Sequence, residues 1–316
     1  MKQYNFDEKI FLRDMMGSYM SELGKKHSDI VVVNADLMGT SRNRGFVEMF
    51  PERSFNVGIA EQNMVSFAAG LAKEGFQPFA FSMAPFLSMR ACEQCRSDVA
   101  YGNLNVRLMA TYAGLSGGIS GATHWSIEDC GIMTSIPNMV VLEPCDSVQA
   151  CSMLDYVVSH KGPVYIRISC EPTISIYDEG YSYKFGCAHD VTEGDDGAFI
   201  CCGITVKYAL KAAKSLYESK NLKIRVVDTC GVKPLDNEKI ISAAKTGNVV
   251  VAHDHNVIGG LGQNVAEIIL ESGISTNFVN AGIPDEFAAM AHAPFLYNKY
   301  GYDASGLEKA MLSIID

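Results

Sequence analysis

The chain holds little that would carry it to a membrane or a nucleic acid. No run of about 18 uncharged apolar residues occurs, so no membrane span is expected. The N-terminal stretch Met1-Lys2-Gln3-Tyr4-Asn5-Phe6-Asp7-Glu8 lacks the apolar core of a signal peptide, and the expectation is a cytoplasmic protein. Positive charge is in short supply: 26 Lys and Arg against 36 Asp and Glu give a net charge of −10. Such a chain repels phosphate backbones and anionic lipid, which argues against nucleic-acid or membrane-surface binding. A small anionic substrate remains compatible, because a site can gather a few arginines locally. Low-complexity segments and short-period repeats are missing. No cluster of Cys or carboxylates at ligand spacing accompanies His253 and His255, so no metal site is expected.

Ten cysteines are present, and in a chain read as cytoplasmic they are expected to be reduced, many of them as small core residues. Cys92 and Cys95 form a CxxC, but the pair falls inside the predicted helical stretch 89–99, with Glu93 and Arg96 interleaved. A redox pair belongs at a loop-to-helix start beside a thioredoxin-like unit, and that context is lacking.

What the sequence does contain is alternation. The length of 316 residues suits two domains of about 150 each. Short apolar runs at 30–33, 79–81, 106–110, 139–142 and 164–168 alternate with helical patterns, as fully buried parallel strands do in βαβ units. A stretch rich in Gly, Tyr and charge, ending in Glu193-Gly194-Asp195-Asp196-Gly197, interrupts the pattern. The alternation then resumes, with strands expected at 198–202, 223–228 and 248–252 and helices at 206–219, 237–244 and 261–272. The fold class expected is therefore α/β: a first parallel-sheet domain over 1–175, a linker over 176–196, and a second, mostly parallel domain over 197–316. Ligands of open parallel sheets bind outside the carboxyl ends of the strands. Asp36, the Glu61 segment, Ser82, the 111–124 loop and Pro144 all fall at such ends.

The most informative segment is Phe55-Asn56-Val57-Gly58-Ile59-Ala60-Glu61-Gln62-Asn63-Met64, where a strand gives way to a helix. On position alone, Glu61 in a first helical turn complements the helix dipole. The flanking strings change that reading. GIAEQNM followed by AAGLA resembles the pyrimidine-binding domain of the transketolase family. Asn34-Ala35-Asp36-Leu37, Gly121-Ala122-Thr123-His124 with Glu128-Asp129, Ile136-Pro137-Asn138-Met139, Lys233-Pro234-Leu235-Asp236 and Ile258-Gly259-Gly260-Leu261-Gly262 extend the likeness in order from Arg13 to near the C-terminus.

The resemblance implies thiamine diphosphate as cofactor, with Mg²⁺ on its diphosphate. Glu61 matches the glutamate that hydrogen-bonds a ring nitrogen of the aminopyrimidine and so promotes ionisation of the thiazolium carbon. Phe86 matches an aromatic packed on that ring, whereas position alone would make it helix core. Met83 stands where relatives usually carry a second Phe, Ile59 matches a residue beneath the bent cofactor, and Asp36 matches an aspartate close to the cofactor at a subunit interface, or else caps the following turn. His124 matches a histidine that reaches a substrate oxygen, a task suited to imidazole. Arg13 and Arg167 match two arginines that grip a distal phosphate; for Arg167, which closes a buried strand, an internal salt bridge is the other reading.

Two substrate positions depart from the family pattern. Tyr112 replaces a frequent His, and Ser120 replaces an Asp that reads a sugar hydroxyl, so the donor is expected to be an unusual ketose with a terminal phosphate or sulfonate. The chain also lacks the GDG-then-Asn pattern that holds Mg²⁺ and the diphosphate. The expectation is therefore that a separate N-terminal transketolase subunit supplies that half, with this chain as β in an α₂β₂ assembly acting on small sugars, and with the second domain serving assembly. The alternatives are the β subunit of a 2-oxo-acid dehydrogenase, a deoxyxylulose-phosphate-synthase-like enzyme, or a catalytically silent scaffold subunit.

Overall fold

The computed structural model of the chain describes residues 3–315. The strands are Ile30–Asn34 (β1), Ser54–Asn56 (β2), Gln77–Met83 (β3), Arg107–Thr111 (β4), Val140–Leu142 (β5), Val164–Ile168 (β6), His189–Thr192 (β7), Gly197–Cys201 (β8), Ile224–Asp228 (β9), Gly231–Lys233 (β10), Asn248–Asn256 (β11) and Asn277–Ile283 (β12), and the apolar runs of the first half supply the buried β1, β3, β4, β5 and β6. The strands form a seven-stranded sheet of order β10-β5-β6-β4-β3-β1-β2 and a five-stranded sheet of order β12-β11-β8-β9-β7. Every pairing is parallel except β10 with β5 and β7 with β9. This is the expected pair of α/β domains with mostly parallel sheets. Helices cover the sheets, and aspartates start three of them. Asp146, Asp236 and Asp303 accept from the backbone N–H three residues on at 2.8, 3.0 and 2.8 Å, satisfying donors that a helix start leaves open.

The two antiparallel edge strands, β7 and β10, blur the boundary between the domains. The segment expected as a linker contains β7, a polar edge strand whose sequence, His-Asp-Val-Thr, carries no apolar run to announce it. β10 comes from the second half of the chain yet completes the first sheet beside β5. Gly231 is needed there, since a Cβ would collide with the carbonyl of Val141. One apolar cluster runs without interruption from Val33, Ala80 and Leu108 through Met133 and Met139 to Val232, Ile240 and Leu261, so the domains share a core.

A buried polar junction lies within that shared interior. Arg167, on β6, is fully buried and its guanidinium is committed on every side. Nε and Nη2 donate to Asp129 at 2.8 and 3.1 Å, Nη1 donates to Glu143 at 2.6 Å, and Nη2 also reaches the carbonyls of Ser126 and Asp254 at 3.4 and 3.1 Å. The phosphate-gripping role expected for Arg167 is corrected here: each of its three nitrogens is hydrogen-bonded to a protein acceptor and it has no exposed surface, so it is an internal ion-pair residue. Burial alone would raise the Glu143 carboxyl, but Arg167 and the hydrogen bond from His253 outweigh it and hold the group down at about 2.

Two histidines complete the junction. The Leu261 N–H donates to His253 Nδ1 at 3.2 Å, which leaves His253 Nε2 as the donor to Glu143 at 2.9 Å. His255 Nε2 accepts from the Cys130 N–H at 3.1 Å and its Nδ1 donates to the Asn256 carbonyl at 2.8 Å; burial pushes its pKa down to about 3. In the clusters Asp129–Cys130–His255 and Glu143–Cys202–His253, the carboxylates are engaged with Arg167, the histidines with Glu143 and backbone groups, and the Cys202 thiol with Glu143.

Removing the guanidinium strands two buried carboxylates. Arg167→Met is expected to cost about 3–5 kcal/mol in urea unfolding. The Glu143 pKa falls from 4.5 unfolded to about 2 folded, so the stability it contributes is complete above pH 4.5 and is lost as pH falls toward 2. Without its cation, buried Glu143 instead favours protonation. The stability gap between wild type and Arg167→Met is therefore expected to narrow over that acid range, which acid-series unfolding curves measure.

Candidate active site

The site is built where the strands of the first sheet end. After β2, Gly58 adopts a φ of +77°, open to glycine at no cost, and the Ala60 N–H turns back onto the Gly58 carbonyl at 2.8 Å. That tight turn starts the helix Glu61–Lys73 and aims Glu61 inward rather than into solvent. Glu61 is 1% exposed. Its Oε1 accepts from Ser82, on β3, at 3.3 Å, and its Oε2 accepts from Arg90 at 2.7 Å.

Arg90 is a site residue that the sequence reading did not single out. The helix after β3 opens with a wide π-type turn over Phe86–Arg90, in which the Ala91 N–H reaches back five residues to the Phe86 carbonyl at 3.1 Å. The turn lays the Arg90 guanidinium over the half-buried Phe86 ring, 4.1 Å from its centroid. The other neighbour of Phe86 is His124, with ring centroids 5.8 Å apart in an edge-on arrangement. His124 Nδ1 lies 2.7 Å from the Thr123 hydroxyl. Glu61, Arg90, Phe86 and His124 thus form one continuous patch. Met83 is buried at the end of β3, and in the helical stretch that follows it the Cys95 thiol is buried, bonds the Leu87 carbonyl at 3.6 Å and is pushed up in pKa by desolvation, which makes the CxxC unreactive on that side.

Asp36 and Ile59 occupy the edge formed by β1 and β2. Asp36 has a φ of +59°, an αL position that Asp tolerates. Asn56 holds it: Oδ1 accepts from the Asp36 and Gly58 N–H groups at 3.0 and 3.1 Å, and Nδ2 donates to the Asp36 carboxylate at 3.1 Å. The sequence reading also passed over Asn56, although its place two residues before Gly58 is the usual spacing of an Asx turn. Ile59 is 78% exposed, leaving an apolar side chain in the open at the rim.

The remaining residues surround β4. Tyr112 follows it with a φ of +61°, a strained value for an aromatic residue, and its ring leaves no room for a Cβ on Gly117. The Arg13 guanidinium carbon lies 5.8 Å from the Tyr112 ring centroid, and Arg13 Nε is buried with no hydrogen-bond partner. Ser120 ends a short turn, Gly118–Ser120, with its side chain exposed. Of the sequence-predicted residues, Glu61, Phe86 and His124 therefore meet in one patch, Arg13 and Tyr112 meet in another, and Arg167 belongs to neither.

Comparison with known proteins accounts for this arrangement. Residues 8–171 match the family description "Transketolase, pyrimidine binding domain", and residues 186–307 match "Transketolase, C-terminal domain". A putative transketolase C-terminal section of Methanocaldococcus jannaschii is 40% identical over 303 residues, 95% of each chain. A 6-deoxy-6-sulfo-D-fructose transketolase subunit of a Clostridium species (strain MSTE9) is 38% identical, covering 96% of this chain and 94% of its own. Among solved structures, one described as a split gene transketolase, inactive beta4 tetramer, superposes with a TM-score of 0.87 at 36% identity, over 98% of this chain and 99% of that one. The buried glutamate at the strand-to-helix turn thus sits within matches that span nearly the whole chain, and the chain belongs to the transketolase family.

Proposed function

We propose that this chain is the β subunit of a two-subunit, thiamine-diphosphate-dependent transketolase that moves a two-carbon ketol unit from an anionic ketose to an aldose. The observation that carries the reading is Glu61: a carboxylate 1% exposed, at the carboxyl edge of the sheet, with an aromatic ring beside it. A buried carboxylate next to a half-buried Phe86 fits a flat, nitrogen-bearing ring such as an aminopyrimidine, and exposed Ile59 offers apolar support at the rim. When bound, the cofactor would supply a nucleophilic carbon and an electron sink. The diphosphate and its Mg²⁺ would be held by a partner subunit in an α₂β₂ assembly, in keeping with relatives described as a section, a subunit and a split-gene product.

In this reading Glu61 hydrogen-bonds the ring nitrogen and holds or releases a proton there. Arg90 is the present partner of Oε2, so its guanidinium has to share or give up that oxygen. His124, edge-on to Phe86, donates to the substrate oxygen on which charge develops. Arg13, with an unpartnered Nε, takes the distal anion in place of the withdrawn Arg167. Ser120 provides an uncharged hydroxyl where the family carries a carboxylate, and the sulfofructose-acting relative is in line with a donor other than an ordinary pentose phosphate.

Two outcomes test this. In the complex with its diphosphate-binding partner, Glu61→Gln should lower ketol transfer by about 10²–10⁴-fold without dissociating the subunits; retained turnover would refute the assignment. Ser120→Asp should raise kcat/KM for xylulose 5-phosphate by about tenfold relative to a sulfonated ketose, since it restores a charge-assisted hydrogen bond to a sugar hydroxyl. A ratio unmoved in a substrate panel would remove Ser120 from specificity.

A further inference from the structure

The loop that carries Ser120 and His124 leaves β4 and returns with a closed neck. The Gly114 N–H donates to the Ser126 carbonyl at 2.9 Å, and the Ser126 N–H donates back to Gly114 at 3.1 Å. Just inside that neck the Leu115 N–H turns away from its own domain and donates to Asp254 Oδ1, on β11 of the second domain, at 2.9 Å. Asp254 is 1% exposed, and two tyrosines of the same domain share it: Tyr302 OH donates to Oδ1 at 2.9 Å and Tyr297 OH to Oδ2 at 3.0 Å. A buried carboxylate is costly unless donors surround it, and here three do.

The close fit extends along the loop. Gly114, at a φ of +60°, would drive a Cβ into the Asp254 carboxyl carbon. A Cβ on Gly118 would strike the Ala291 carbonyl and lie 2.9 Å from Leu296 Cδ1, both in the second domain. Below the neck, Arg167 Nη2 ties the Ser126 carbonyl to the Asp254 carbonyl, and the Asn256 N–H donates to the Ile127 carbonyl at 2.9 Å. Both ends of the loop are therefore clamped by β11.

We infer that Asp254 is a positioning residue for this loop: the second domain, expected to serve assembly, sets the placement of Ser120 and His124 through the Asp254 carboxylate. The functional part of this inference rests on the proposed reading of those two residues; the structural part does not. An asparagine in place of Asp254 keeps the shape but loses the charge that strengthens the three bonds.

The test compares wild type with Asp254→Asn, by hydrogen exchange on the full chain and by kinetics of the complex with its partner, using xylulose 5-phosphate as donor probe. Exchange of amides 115–124 should rise roughly tenfold or more while the two sheets stay unchanged. KM for the donor should rise with thiamine diphosphate affinity unaltered. Unchanged loop exchange, or a rise spread evenly over both domains, overturns the inference, as does a loosened loop with unmoved KM. Should Asp254→Asn fail to fold, Tyr302→Phe withdraws one donor from the same oxygen and should give a smaller rise confined to the same amides; exchange like wild type would overturn the brace. A wild-type complex that transfers no ketol unit from any phosphorylated or sulfonated ketose would sink the proposed function, and the exchange data would still decide on the brace.

Discussion

A guanidinium with no water around it constrains much of this molecule. Arg167 is tolerable in the interior only because two carboxylates and two backbone carbonyls from separate parts of the chain converge on it. Asp129 starts the helix after the loop 114–126, Glu143 follows β5, Ser126 closes the loop neck, and Asp254 lies on β11. Satisfying one cation therefore fixes the loop, the middle of the first sheet and the second domain relative to one another. The histidines of β11 extend the same logic. Backbone donors from Leu261 and Cys130 select opposite tautomers for His253 and His255, whose rings stack with centroids 5.3 Å apart.

The site on this frame is open on one side. Glu61 is buried from the chain's own side, while Ile59 and the side chain of Arg90 face outward, so the polar chemistry is prepared before the pocket is complete. Arg90 meanwhile spans the two features an aminopyrimidine would use, the Glu61 carboxylate and the Phe86 face, by means of its own planar array of donors. A guanidinium in that position neutralises a buried carboxylate that would otherwise stand alone.

Much of this was legible in one dimension, and the exceptions share a cause. Buried strands announced themselves because parallel strands flanked by helices are apolar throughout. Glu61, Phe86 and His124 were legible because each sits in a string of residues whose order is itself informative. Arg167 was left between a phosphate grip and an internal salt bridge for a reason internal to that method: a motif says that an arginine stands at the end of a buried strand, and says nothing about which anion it meets. Glu143, Asp129 and His253 lie 24, 38 and 86 positions away from it, beyond any spacing rule. Arg90 was passed over because four residues after an aromatic is an ordinary place for a solvated arginine, and the wide turn that brings it over Phe86 has no sequence signature. The edge strand β7, polar by necessity, read as a linker.

The separation between reacting groups and their supports bears on how substrate choice is encoded. Ser120 and His124 sit on a loop packed at its ends through Leu115 and Trp125, with Ile119, Ser120 and Thr123 exposed between them, and a loop free to wander would spend much of its time away from a productive geometry. Its glycines at 114 and 118 give up side chains so that the second domain can approach, which exchanges local stability for external support. Ser120 is exposed at the end of its turn and takes no part in the side-chain contacts that tie the loop to β11. On the proposed function, that separation would let one scaffold retain Glu61 while the loop is rewritten for different ketoses, with the second domain acting through the loop and without contact to substrate.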